Sequence, residues 1–426
     1  MRFHMLTIIA SAVLLSACEK HASAAPETTT TANPPTSAMP AASARVVPTS
    51  PDEIQHSVVR VATTSQSWNP GQPWEKQSSN QRESLGAVLS DHRVLTTAEM
   101  AADATYVELE TVDGLKRIPA HVIAIDYEAN LALLGPLDDK ENPQSNEASE
   151  STPPNGDFFT DLTPLTVADT PTIDDQLEII QVRDNGTPLL TPGPIQSIDM
   201  ISTLVASKYF LTYQVKASMQ SAASSFSLPV IHQGKLAGML TNYDSNDQLS
   251  DIIATEIVRA FLDDAADGNY DGFPSLGIAA TSTEDEHFRR WLGLNEDHGG
   301  LFIANVEPNS AAAAANLQPG DVLLAVDDLT IDRQGYIDHP LYKRLFWSHQ
   351  IHGPKTIGEN VNLDILRDGS LESVTATLTR SDPQDALIPP YTYGHAPRYL
   401  VKGGMIFQEL TQPLLSAFGD NWTSRA

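Results

Sequence analysis

The chain has 426 residues, more than one ordinary domain needs, so two or three folded units are expected. With 26 Lys+Arg against 54 Asp+Glu its formal net charge is −28, which repels phosphate backbones and anionic headgroups and excludes nucleic acid as a partner. Apolar residues make up 41% of the chain, enough to build a core, and the single cysteine excludes a disulfide framework or a Cys-rich zinc site.

The chain opens with Met1-Arg2-Phe3-His4, an apolar run from Met5 to Leu15, and Ser16-Ala17-Cys18. A positive start, an apolar stretch of about ten residues and small residues after it describe a secretory signal. The run is too short to span a bilayer, which takes about twenty residues. Leu15-Ser16-Ala17-Cys18 resembles the lipobox of bacterial lipoproteins. That resemblance implies cleavage after residue 17, acylation of Cys18, and a home in the bacterial cell envelope. In a Gram-negative cell this means the periplasmic face of the outer membrane, with the lipid as the only membrane contact. Residues 18–53, including Thr28-Thr29-Thr30-Thr31 and Pro34-Pro35, lack the apolar content to fold and read as a tether.

Globular sequence begins near Ile54. Strands are predicted over His56–Thr64, Leu85–Ser90 and Arg93–Thr97, the last two joined at Asp91-His92. A second pair, Tyr106–Glu110 and Arg117–Ile125, is joined at Asp113-Gly114, and Asn130–Leu134 follows. Short strands punctuated by turns indicate an all-β barrel or sandwich. Asp138–Asp157 reads as an acidic loop between barrels. Strands resume at Leu165, Gln176–Val182, Ile195–Met200, Lys208–Val215 and Leu236–Thr241. Helical spacing over Asp251–Leu262 closes a unit spanning 54–264. After a linker, a second unit over 271–382 carries a strand at Gly299–Val306, an Ala-rich helical turn over Ser310–Leu317, and a strand at Val322–Val326. A helix is predicted over His339–Ile351, then a hairpin turning at Asp368-Gly369. Residues 383–426 are a Pro/Tyr-rich linker and a short apolar tail.

The second unit resembles a PDZ domain of the HtrA/Deg type, through Ser275-Leu276-Gly277-Ile278, Val306-Glu307-Pro308-Asn309-Ser310-Ala311-Ala312, Leu317-Gln318-Pro319-Gly320-Asp321-Val322-Leu323 and Leu366-Arg367-Asp368-Gly369. A PDZ domain adds a peptide strand to a sheet edge and holds its carboxylate in backbone N–H groups. The resemblance implies that Ser275, Leu276, Gly277 and Ile278 form the carboxylate loop. Gly277 would let the backbone approach the ligand, and Leu341 and Leu345 would face the pocket from the helix. The implied ligands are C-terminal or extended peptides with an apolar last residue. The tail Tyr399–Thr411 is similar to the opening strand of a further PDZ-like module in long Deg proteases, and is expected to pack on the first PDZ unit or on a neighbouring chain.

In that company the first unit resembles a chymotrypsin-type double β-barrel, so the expected fold is mainly β: two barrels, an α+β PDZ domain and a partial PDZ-like tail. The family's histidine strand, apolar-Leu-Thr-x-x-His, corresponds to Val94-Leu95-Thr96-Thr97-Ala98-Glu99. Its aspartate stretch corresponds to Asn130-Leu131-Ala132-Leu133-Leu134, and its serine loop to Ala223-Ser224-Ser225-Phe226-Ser227. Glutamate thus stands for histidine, asparagine for aspartate, and the loop glycines are gone. Ser225 holds the nucleophile position on this register, with Ser224 the other choice.

A serine hydroxyl needs a base near neutral pKa. Glutamate, at about 4.3, is a poor one. Asn130 cannot stabilise a developing cation, and Phe226 opposes the backbone turn that an oxyanion hole requires. The sequence therefore reads as a catalytically degenerate, lipid-anchored scaffold without cofactor or metal. Its expected partners are peptides of envelope proteins, active Deg proteases and further copies of itself. An active serine endopeptidase using Ser225, and a structural oligomer with an idle groove, remain open alternatives.

Overall fold

A computed structural model describes residues 50–137, 158–183, 185–206, 208–219, 227–296 and 298–419. All belong to one compact unit, Val47–Ala426. Cys18, the 138–157 loop, Ser224, Ser225 and Phe226 lie outside the described residues.

The chain enters through a helical turn, α1 (Pro51–Ile54), and a 3₁₀ turn over Gln55–Ser57 that seats Ile54 in the core. His56 is therefore in this turn, and the first strand, β1 (Val58–Ser65), starts two residues later than expected. A small hairpin, β2 (Trp68–Asn69) and β3 (Gln72–Lys76), leads to β4 (Asn80–Leu89) and β5 (Arg93–Thr96). After a helical turn, α2 (Ala98–Ala101), come β6 (Ala104–Thr111), β7 (Arg117–Asp126) and β8 (Leu131–Pro136). The order β1-β4-β5-β8-β7-β6 closes into a barrel, which removes free sheet edges. Asp91 and His92 both have positive φ, at 60° and 57°, as the two central residues of a tight hairpin turn matched to strand twist require.

The second barrel contains β9 (Gln176–Val182), β10 (Pro188–Ile201), β11 (Phe210–Lys216), β12 (Leu228–His232), β13 (Lys235–Asp244) and β14 (Leu249–Ile253), closed in the order β10-β11-β14-β13-β12-β9. At Leu165 the expected strand is reduced to a single bridge, Val167 with Leu236. The helix expected over Asp251–Leu262 begins later, as α3 (Thr255–Asp264). Ile252 and Ile253 pair instead with Tyr213 and Thr212, and with Leu240 and Met239, where β-branched side chains fit a pleated surface. Gly238 is set by that pairing, because a Cβ there would meet the Ile253 carbonyl oxygen.

The third layer is a sheet in the order β15-β16-β17-β21-β22 with β18 beside β17. Its elements are β15 (Ile278–Ser282), α4 (Glu286–Leu292), β16 (Leu301–Val306), α5 (Ala311–Ala314), β17 (Val322–Val326) and β18 (Leu329–Thr330). They are followed by β19 (Tyr336–His339), β20 (Lys343–Phe346), α6 (His349–His352), β21 (Asn360–Arg367) and β22 (Ser370–Thr377). No helix runs over His339–Ile351. Tyr336–His339 and Lys343–Phe346 form a hairpin, and only His349–His352 is helical. Pro340 cannot donate a helical hydrogen bond and Lys343 has φ 59°, so the chain turns there. The i, i+4 spacing of Leu341 and Leu345 imitates a helix face, whereas Leu345 pairs across the hairpin with Ile337.

The tail forms a hairpin, β23 (Tyr399–Lys402) and β24 (Met405–Gln408), and a short helix, α7 (Gln412–Ser416). It packs on the first barrel rather than on the PDZ sheet. Tyr399 meets Trp74 edge-on at 5.9 Å, Gln408 Nε2 donates to the Pro70 carbonyl at 3.0 Å, and Gly394 N–H donates to Asp103 Oδ1 at 2.9 Å.

Candidate functional site

Of the positions expected to carry catalysis, Glu99 and Asn130 are neighbours, and Ser225 lies outside the described residues. Thr97, at the end of β5, precedes α2, and Glu99 lies in the first turn of that helix. Asn130 sits at the entrance to β8 with φ 56°, a left-handed conformation that asparagine tolerates better than most residues. It is buried, and its Oδ1 accepts the Glu99 backbone N–H at 2.9 Å. A side-chain oxygen there satisfies one of the donors a helix start leaves unpaired. Thr97 does not cap; its hydroxyl lies 2.8 Å from the buried Ser227 hydroxyl. Asn130 therefore supports the Glu99 backbone, not its carboxylate. The Glu99 carbonyl accepts from Arg82 Nη1 at 2.7 Å, and the Glu99 side chain is exposed.

The nearby buried acid, Asp126, faces elsewhere. Its Oδ1 accepts the Ala129 N–H at 2.7 Å and its Oδ2 the Tyr270 hydroxyl at 2.8 Å. Burial raises the Tyr270 phenol well above its ordinary pKa, with Asp126 adding to the shift, so Tyr270 stays a neutral donor to Asp126. It fastens the segment leading into the PDZ unit to the first barrel. His92, in the β4–β5 turn, stacks on Phe159 at 4.8 Å. Among the described residues no His/Cys/Asp/Glu group is arranged to hold a metal.

Beside Glu99 lies a cavity of about 340 Å³ lined by Arg82, Asp103, Leu204 and Tyr393. Tyr393 belongs to the tail segment. Its ring lies 4.8 Å from that of Tyr127, and Tyr391 lies 5.3 Å from the same ring. Burial, with Asp103 second, pushes the Tyr127 phenol up to about 12. A larger cavity of about 460 Å³ adjoins it, between Trp68, Tyr391, His395 and Arg398. The tail segment thus walls the space around Glu99, a role with no local signal in the sequence beyond the spacing of its tyrosines.

Of the six residues expected to bind peptide, Ser275–Ile278 form one segment leading into β15. Ser275 N–H donates to the Thr379 carbonyl at 2.8 Å. Leu276 is buried and its carbonyl accepts the Ala312 N–H at 2.8 Å, while the Gly277 carbonyl accepts the Glu307 N–H at 2.9 Å. Ile278 opens β15 and is half-buried. Gly277 has φ 78°, and a Cβ there would stand well inside 3.0 Å of Ser310 Cβ. The α5 cap behind the loop therefore requires glycine at this position. β15 pairs with β16 alone, and Ala279 to Ser282 are exposed, so one edge of this strand is open among the described residues.

Leu341 and Leu345 do not face this loop. Leu341 is exposed in the hairpin turn, and Leu345 is buried in the cluster that forms the barrel core. Ile351 on α6 belongs to the same buried core cluster as Leu276. Ile351 is the last residue of the expected helix, an isolated apolar residue between Gln350 and His352 with no local signal for this role.

Comparison with known proteins agrees with this architecture. Residues 274–378 match a family model described as PDZ domain, and residues 388–426 match a second PDZ-domain model. The chain is 26% identical over 381 residues to Protease Do-like 4, mitochondrial, of Arabidopsis thaliana, covering 89% of this chain and 69% of that protein. It is 25% identical over 366 residues to Protease Do-like 2, chloroplastic, of the same plant, covering 84% of this chain and 56% of that one. Among solved structures, HtrA-type protease AlgW with decapeptide superposes with a TM-score of 0.55 at 18% identity, over 78% of this chain and 98% of that chain. The fold is therefore a chymotrypsin-like double barrel followed by PDZ modules, and the likeness to HtrA/Deg-type proteases extends along most of the chain.

Proposed function

We propose that this chain is a catalytically degenerate HtrA/Deg-like protein that works by binding polypeptide. The observation that carries the reading is the pair of groups at these positions: a neutral amide, Asn130, whose oxygen accepts the Glu99 backbone N–H, and at Glu99 an exposed carboxyl side chain where an imidazole is needed. A triad works because a buried acid fixes the tautomer of an imidazole that takes the serine proton. Neither half of that relay is present at these positions.

Binding falls to the PDZ unit. A peptide strand added along the open edge of β15 gains main-chain hydrogen bonds whatever its sequence, and its last side chain meets the apolar floor of Leu276, Ile278 and Ile351. The protein is held at the bacterial envelope by acylated Cys18, and its partners are envelope polypeptides or active Deg proteases. The names of its plant relatives favour a second reading, a serine-type endopeptidase acting through Ser225. Incubation of full-length protein with unfolded casein separates the two: the proposal expects casein bound and intact, and casein fragments abolished by Ser225→Ala would support the second.

A further inference from the structure

The seat of the PDZ unit on the second barrel is built around histidines. The β19–β20 hairpin places Tyr342 and Leu345 in the barrel's core cluster. The Tyr342 hydroxyl donates to Glu256 Oε1 on α3 at 2.8 Å, across 86 residues of sequence. His349 is buried. Its Nε2 lies 3.5 Å from Glu256 Oε2, and its Nδ1 has no hydrogen-bond partner. Gly353 packs directly on the imidazole, leaving no room for a Cβ. On the other side of α6, His352 Nδ1–H donates to the Tyr209 carbonyl at 3.2 Å, and its ring stacks on Phe210 at 5.3 Å. His339 stacks on Tyr342 and meets the His349 ring edge-on at 5.4 Å.

We propose that this joint is an acid-released latch: proton uptake by His349, reinforced by His352, loosens the PDZ unit from the second barrel as pH falls from about 7.5 to 5.5. The inference does not depend on whether the chain cleaves peptide bonds. A charge on His349 would be buried, with Nδ1 unpartnered and the Glu256 carboxylate, 3.5 Å from Nε2, as its one close counter-charge.

The groups facing it fix the sign. Burial first, then the neighbouring His339 and His352, pushes the His349 imidazole down to about 3. Burial likewise pushes His352 down to about 4, with Lys208 acting in the same direction and the Tyr209 carbonyl against it. His339 is lowered by burial. The docked joint therefore binds fewer protons than the open one below the ordinary histidine pKa of 6.5. Docking is then fully stable above that value and weakens as pH falls below it. Glu256 works the other way, since burial raises its carboxyl and it takes a proton more readily when docked, while Arg259 lowers it. Lys208 is itself paired with Glu128 at 3.1 Å.

For one histidine of ordinary pKa in the open joint, the opening equilibrium grows about tenfold between pH 7.5 and 5.5. His352, pushed down to about 4 when docked, adds up to about a further tenfold by the same linkage. Hydrogen exchange of the full chain reads this equilibrium directly, once each rate is divided by its intrinsic rate. Peptides covering 336–352 should show an excess of about tenfold or more at pH 5.5, while peptides covering 85–96 in the first barrel should show none. His349→Gln together with His352→Gln should hold the excess below about threefold. An unchanged excess in that variant overturns the proposal. If the variant opens the joint at both pH values, the wild-type protein decides alone: no excess at pH 5.5 overturns the latch, and an excess confined to 336–352 supports it.

Discussion

Gly277→Ala tests how the PDZ loop is built. The residue has φ 78°, and left-handed backbone costs a residue with a Cβ roughly 1–2 kcal/mol. The new Cβ would overlap Ser310 Cβ, and forcing an extra carbon into packed structure costs about 1–3 kcal/mol. Ser310 cannot retreat freely, because its hydroxyl accepts the Ala313 N–H at 3.1 Å and donates to the Glu307 carbonyl at 2.7 Å. The expected loss is about 2–4 kcal/mol, local to the PDZ sheet. Ser310→Gly alone should cost only a few tenths, since glycine is a tolerated cap. The double variant should recover the overlap and keep the backbone cost of about 1–2 kcal/mol. Hydrogen exchange of β16 and β17 in the full chain, compared with β1 and β4, measures these values in one experiment. A Gly277→Ala cost under about 1 kcal/mol, with peptide binding abolished, would refute this reasoning and make the glycine a ligand contact.

Arg367→Ala should be among the most damaging single changes in the PDZ unit. Arg367 grips the buried Asp321 carboxylate through Nε at 2.8 Å and Nη2 at 2.6 Å, and removing one member of such a pair costs about 3–5 kcal/mol. Urea unfolding followed by exchange of β17 and β21 checks it, and a cost under about 1 kcal/mol would contradict the packing described. Tyr391→Ala should loosen the tail, which keeps only the Tyr393 contact to Tyr127, at about 0.5–1.5 kcal/mol for each aromatic pair it removes. Limited proteolysis should then cut within 390–411 several-fold faster, and an unchanged rate would mean the tail is held by other groups.

The barrels were legible because their strands alternate in burial and turn at Asp91-His92 and Asp113-Gly114, signals confined to a few neighbouring residues. The β12 strand was not, since Leu228–His232 is short and contains Pro229. The 339–351 segment misled because spacing alone cannot tell a helix face from a hairpin whose apolar residues meet a barrel 86 residues away. Glu99 and Asn130 were identifiable as the positions matching the family's histidine and aspartate, yet the capping bond joining them spans 31 residues and could be seen only in three dimensions. The same holds for the histidine joint and for the tail's place beside Glu99. Both arise from tertiary packing that leaves no periodic trace.

The most direct measurement of the central claim is labelling of full-length protein by a fluorophosphonate, which reacts with a serine only when a base activates it. With Asn130 holding a backbone and Glu99 standing exposed, no serine should be labelled at neutral pH, under conditions where an active serine protease reacts completely. Stoichiometric labelling at Ser224 or Ser225, abolished on its replacement by alanine, would show that a working base exists and would contradict the account.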